Sequence, residues 1–204
     1  MRIIKNCFIV FLISLTIIVP TVNTYITAAE PESGYNLSIS PIKQAKSNWC
    51  WAACSEMMGK ALTENANRNQ WAIVKYISGN ECDFYPNTSA SPNETIAGCK
   101  YACYNTKNFS FEQNTFTWNQ IKDYIDSGKP LIGITFVYNY GTNKGGHSTL
   151  ITGYHIENSA PAKKYIYYID PAKEKLYHVP YYDYCNVNSD EAYDLKYFYT
   201  IYPN

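Results

Sequence analysis

The chain has 204 residues and only three histidines, and it carries no run of lysines or arginines and no basic helix face. That excludes the electrostatic footprint of a nucleic-acid binder. The C-x-x-C pairs that build structural zinc sites are absent. Cys99-x3-Cys103, with Cys82 upstream, is a poor substitute, so neither a metal nor another cofactor is expected. No internal repeat and no second domain is visible. The one long apolar run, Cys7 to Val19, falls short of the about 20 residues that a membrane span needs.

That run is nevertheless informative. Arg2 and Lys5 precede it, and the small residues Thr27-Ala28-Ala29 follow it. A basic start, an apolar middle and a small-residue end read as a secretory signal peptide over residues 1–29, with an uncleaved anchor as the plainer alternative. The expectation is therefore a secreted protein with no stable membrane association once the signal is cleaved. Beyond residue 29, 15 basic and 17 acidic residues remain, a net charge near −2. Residues 30–43, EPESGYNLSISPIK, read as a short polar lead-in, and residues 44–204 as one monomeric domain large enough for a sizeable core. Tyr is abundant at 21, and the tyrosines clustered over 165–184 fit core and sheet-surface packing better than a substrate groove.

Six cysteines lie outside the signal: Cys50, Cys54, Cys82, Cys99, Cys103 and Cys185. An exported chain permits disulfides, and one or two are expected within residues 82–103. If Cys50 is kept free, at least one of the other five stays unpaired.

Apolar residues at 51, 54, 58, 61 and 62 follow the helical period and predict a helix over 51–62. A second helix is predicted over 70–78, closed by Gly79. A third spans 118–127, with Thr117 as cap and Gly128 as stop. Residues 79–115, punctuated by Pro86 and Pro92, read as irregular. After Pro130 the pattern turns β-branched and aromatic, predicting strands at 131–138, 148–156, 164–170, 175–179 and 195–202. Helices first and an antiparallel sheet second define an α+β class.

The stretch QAKSNWCW, residues 44–51, carries the chemistry. A thiol attacks a carbonyl as its thiolate, which a helix N-terminus and a nearby imidazole both favour. Cys50 stands at the start of the first predicted helix; Cys54, one turn further on, should face the interior or a disulfide partner. Among the histidines, His147 ends the loop GTNKGGH and opens a strand, and Asp170 closes the next strand just before Pro171. A hairpin turn near Asn158-Ser159 lies midway between them, so the two side chains should meet at its open end. The Asp would then fix the ring's tautomer and stabilise its charged form. His155 has the same strand parity but sits at the far end, and His178 reads as a surface residue. The Cys50 backbone N–H and the Gln44 side-chain amide are candidate donors for an oxyanion.

Gln44-x5-Cys50-Trp51, GGHSTLITGY and YYIDP together resemble the papain-like cysteine proteases, in which an oxyanion-hole Gln precedes the Cys-Trp and His and Asn or Asp follow. The resemblance covers residues 44–172. It is nearest to compact bacterial branches, such as bacteriocin-leader-processing peptidases and secreted virulence proteases. It implies a helical half carrying Cys50 packed on a sheet carrying His147 and Asp170, acting on protein or peptide substrates. Three departures from papain stand out: K-S-N-W before the Cys, Asp as third member, and 97 residues between Cys50 and His147 against the about 130–150 usual there. Other thiol acyl-transfer enzymes (deamidase, transglutaminase, cell-wall amidase) would use the same site. A non-enzymatic binding module, with Cys50 paired to Cys54 or another cysteine, is the remaining alternative.

Overall fold

A computed structural model of the chain describes residues 32–79, 85–139, 142–185 and 195–204; the expected signal peptide and Cys82 lie outside these. The helices gather in the first half and the sheet in the second, as the α+β pattern requires. Helix α1 runs Cys50–Leu62, α2 Gln70–Ser78, α3 Pro92–Ala102, α4 Trp118–Asp126 and α5 Tyr181–Cys185. The strands are β1 (Ser33–Asn36), β2 (Phe109–Glu112), β3 (Leu131–Asn139), β4 (Thr142–Glu157), β5 (Lys163–Asp170), β6 (Lys175–Pro180) and β7 (Leu195–Pro203).

One seven-stranded sheet runs in the order β2-β7-β3-β4-β5-β6, with β1 added against β4. Every pairing is antiparallel. The long β4 makes this possible. Its first part pairs with β3 up to Ile151, and Gly153–Ile156 then pair with β1 on the edge that β3 has left. The polar lead-in thus supplies a strand. At Gly153 the approach is so close that a Cβ would stand 2.5 Å from the Tyr35 carbonyl oxygen.

Both faces of the sheet are covered. On one, Leu150, Ile169, Ile132 and Ile201 pack against Cys54, Met57 and Met58 of α1 and Cys99 and Cys103 at α3. On the other, Ile151, Tyr154, Ile156 and Ile166 pack against Trp118, Ile121 and Ile125 of α4 and Tyr184 of α5. Helix α1 is buried from Cys50 to Gly59, because it is wedged between the sheet and the other helices. A helix apolar on one stripe only could not occupy that position.

Two sequence expectations fail here. The irregular span 79–115 contains helix α3 and strand β2. Pro92, read as punctuation, is the first residue of α3, where its missing N–H costs nothing. Ser91 and Glu94 form a complete capping box ahead of it. The second failure concerns disulfides. Cys50, Cys54, Cys99, Cys103 and Cys185 are all free. Cys99 lies at the start of the third turn of α3 and Cys103 is its C-cap, and both thiols pack as small apolar groups in the α1–α3 core.

Candidate active site

The sequence places an uncapped helix end at the centre of the molecule. Trp49 precedes α1 with no side-chain cap bond, and the first turn holds no acid. The first N–H groups of a helix lack partners within it and carry its positive end. Cys50, 7% exposed, stands there. The turn leading to it is pinned from outside. The indole of Trp49 donates to Pro86 O, that of Trp51 to Thr88 O, and Lys46 Nζ to Tyr85 O. Asn48 donates twice to Asn87, from its backbone N–H to Oδ1 at 3.0 Å and from Nδ2 to the carbonyl oxygen at 2.8 Å.

The imidazole comes from the sheet. Leu150 pairs with Ile169, so one residue further on Asp170 stands beside Thr149 and diagonal to His147, within side-chain reach. A hydrogen bond of 2.8 Å joins His147 Nε2 to Asp170 Oδ1. Asp170 Oδ1 also accepts the Ala172 N–H at 2.9 Å, which fixes the carboxylate in its turn. With Nε2 committed, the other ring nitrogen, Nδ1, is left for the Cys50 thiol, which lies close enough to His147 that each shifts the other's protonation.

These contacts set the protonation states. Burial pushes the Cys50 thiol up, but the bond from His147, the Ser148 backbone N–H, the charge of His147 and the Ser148 hydroxyl together bring it below its ordinary value. Burial pushes His147 down, yet its bond to Cys50, the charges of Cys50 and Asp170 and the Asp170 bond raise it above its ordinary value. A thiol lowered and an imidazole raised by each other favour a thiolate–imidazolium pair. The remaining described thiols go the other way. Burial, with the charges of Cys50, Cys99 and Asp170, raises Cys54 well above the usual thiol range, and burial pushes Cys99 up to about 12. Cys103 and Cys185 are also raised by burial.

Cys50, His147 and Asp170 are therefore brought together. Gln44 is close by in the chain, but its side chain is engaged differently from the expectation. Its Nε2 donates to Lys46 O at 2.9 Å and Ser47 O at 2.7 Å, and its Oε1 is buried without a partner. The Gln44 backbone N–H donates to Pro171 O at 2.9 Å, tying this segment to the Asp170 end of the hairpin. His155 does not share the face of His147. The register shifts between Ile151 and Gly153, and such a bulge reverses side-chain parity beyond it. His155 instead stacks on Tyr165, and His178 on Tyr167. Ser148, whose N–H and hydroxyl both help to lower the Cys50 thiol, went unpredicted. Its position directly after His147 in GGHST was the available signal.

The sequence matches the Peptidase_C39 like family over residues 36–199. The chain belongs to that family. No curated protein matches the chain by sequence. Among solved structures it is similar to the crystal structure of UfSP from C. elegans, with a TM-score of 0.52 and 9% identity over 90% of this chain. The match spans 35% of that structure's length. At that identity the likeness concerns the fold, which is papain-like. Family and fold together are those of cysteine peptidases.

Proposed function

We propose that this protein hydrolyses peptide bonds in protein or peptide substrates through a Cys50–His147–Asp170 site, working as an exported monomer. The carrying observation is the His147 ring, bonded through Nε2 to Asp170 and paired with the Cys50 thiol so that the thiol is lowered and the imidazole raised. In this reading the Cys50 thiolate attacks the carbonyl carbon, and the C=O electron pair moves onto oxygen. His147 then gives its Nδ1 proton to the leaving amine. A water, deprotonated by the now neutral His147, attacks the thioester, breaks its C–S bond to release the acid, and restores the Cys50 thiolate beside the protonated ring. Asp170 holds the ring and stabilises its charged form.

The oxyanion receives the Cys50 backbone N–H, free at the uncapped start of α1, and one Gln44 Nε2–H. For the latter, the 2.9 Å bond to Lys46 O is exchanged for one to the oxyanion, because a charged acceptor outbids a neutral carbonyl. Export rests on the basic, apolar and small-residue order of residues 1–29.

Labelling with an electrophilic peptidyl epoxide, followed by mass spectrometry, tests the nucleophile. The adduct is expected on Cys50, and Cys50→Ala should abolish casein hydrolysis without loss of fold. Cys54→Ala should retain activity, since its buried thiol is held protonated. An adduct elsewhere, or an active Cys50→Ala, overturns the assignment. Product analysis in the presence of an amine acceptor separates hydrolysis from acyl transfer.

A further inference from the structure

Twenty-six residues after Gln44, at the first position of α2, lies a buried amide. Gln70 is 5% exposed. Its Oε1 accepts the Ala45 backbone N–H at 2.9 Å, and its Nε2 donates to Lys43 O at 2.8 Å. A primary amide offers the same donor and acceptor pair as a peptide group. Gln70 therefore grips the backbone on both sides of Gln44, much as a neighbouring strand would. The grip is itself anchored to the helix that carries Cys50. The Gln70 N–H donates to Glu56 Oε2 at 3.0 Å, and Glu56 Oε1 pairs with Lys60 at 2.8 Å. Glu56 is on α1 and 6% exposed, and a carboxylate at the N-terminus of α2 is well placed electrostatically.

A continuous chain of bonds thus runs from α1 through Glu56 and Gln70 to residues 43 and 45. Together with the Gln44 N–H bond to Pro171 O, it fixes the Gln44 backbone relative to Cys50 on one side and to the Asp170 turn on the other. An apolar side chain of the same volume would fill the space equally well. What the amide adds is a defined position for a loop that has no regular secondary structure of its own.

We propose that Gln70 is a positioning residue for the oxyanion hole, setting the distance from Gln44 to the Cys50 N–H. This rests on the peptidase reading above. It touches neither substrate nor the thiolate–imidazolium pair, so it should act on the barrier and leave substrate binding and thiol ionisation alone.

The test compares the wild type, Gln70→Met, Gln44→Ala and the double variant, on the full-length protein with a quenched-fluorescence casein peptide. Rates are normalised to thiol titrated at Cys50. Gln70→Met is expected to lower kcat about 10- to 100-fold, the cost of a misplaced group near the chemistry, with KM changed less than about threefold. The pH dependence of Cys50 alkylation by iodoacetamide should match the wild type. The double variant should be no slower than Gln44→Ala by more than about twofold, because both act through one donor. A wild-type kcat in Gln70→Met, a loss confined to KM, or losses that multiply in the double variant would overturn the proposal. A wild type that neither cleaves the peptide nor is alkylated at Cys50 would instead remove the peptidase reading, and this inference with it. Should Gln70→Met fail to fold, Glu56→Gln loosens the anchor while still accepting the Gln70 N–H. It should lower kcat severalfold with KM unchanged, and a wild-type kcat there counts equally against the idea.

Discussion

Replacing Asp170 separates orientation of the imidazole from stabilisation of its charge. In the native protein Asp170 Oδ1 accepts from His147 Nε2 at 2.8 Å and from the Ala172 N–H at 2.9 Å. Asn places an amide oxygen at the same point, so both bonds survive and only the negative charge goes. Ala loses all three contributions. A hydrogen bond to a charged group contributes about 1.5–3 kcal/mol. The His147 side chain is 41% exposed, so water screens part of this, and about 1.5 kcal/mol is the reasonable figure. At about 1.4 kcal/mol per tenfold, Asp170→Ala should lower kcat/KM roughly 10-fold from lost stabilisation, with a further loss as the ring swings free. Asp170→Asn should keep most of the rate at the optimum. The pH profile carries the sign. Asp170 helps raise His147, so its removal lowers the imidazolium pKa, and the alkaline limb of kcat/KM moves to lower pH in both variants. At the acid limb His147 is protonated in every variant, so the limb set by Cys50 should stay in place. Stopped-time assays across pH 4–10 (on the order of half-unit steps) would resolve both limbs. An unmoved alkaline limb in Asp170→Ala, or an Asn variant as damaged as Ala, would refute this account of the pair.

Gln44→Ala should lower kcat about 10²–10³-fold, the loss of one oxyanion donor, with KM nearly constant; a variant altered only in KM would make Gln44 a binding residue. Gly59→Ala tests the packing of α1 on α3, where a Cβ would stand 2.8 Å from the Ala102 Cβ and 2.9 Å from its carbonyl oxygen. Overpacking costs about 1–3 kcal/mol, which exceeds the about 1 kcal/mol that Ala gains over Gly in a helix. Urea unfolding should therefore show a net loss, and a raised midpoint would show that α3 moves freely.

The parts of the site that were legible in the sequence are those governed by local periodicity. Cys50 heads a helix because the apolar spacing beyond it is helical, and a hairpin turn midway between His147 and Asp170 brings their side chains to one end. Pattern alone did not show the bulge between Ile151 and Gly153. Its cause is a tertiary event: β1 replaces β3 along that edge, and its backbone needs the room that Gly153 provides. Helix α3 escapes the periodicity although its capping box is written in Ser91 and Glu94, because Pro92 reads as a break when it is the residue best suited to open a helix.

The oxyanion segment shows where such reading stops. Spacing to Cys50 and the Cys-Trp pair singled out Gln44, but nothing local could show that its amide is tied into its own turn. Nor could it show that a glutamine on the next helix grips the backbone on either side. Both are hydrogen-bonding choices made by a loop without a ladder to join. Buried N–H and C=O groups must find partners, and residues 43–47 find theirs at side chains distant in sequence, at the Pro171 carbonyl or in a tight local turn. The chemistry at Cys50 is thus set by a helix end and a strand pair that sequence periodicity encodes. The position of Gln44, the proposed second oxyanion donor, depends on a few side-chain amides that it does not. For this reason Gln70, 20 residues from Cys50 in the chain and outside every motif, is where a substitution should slow the reaction without altering the thiolate.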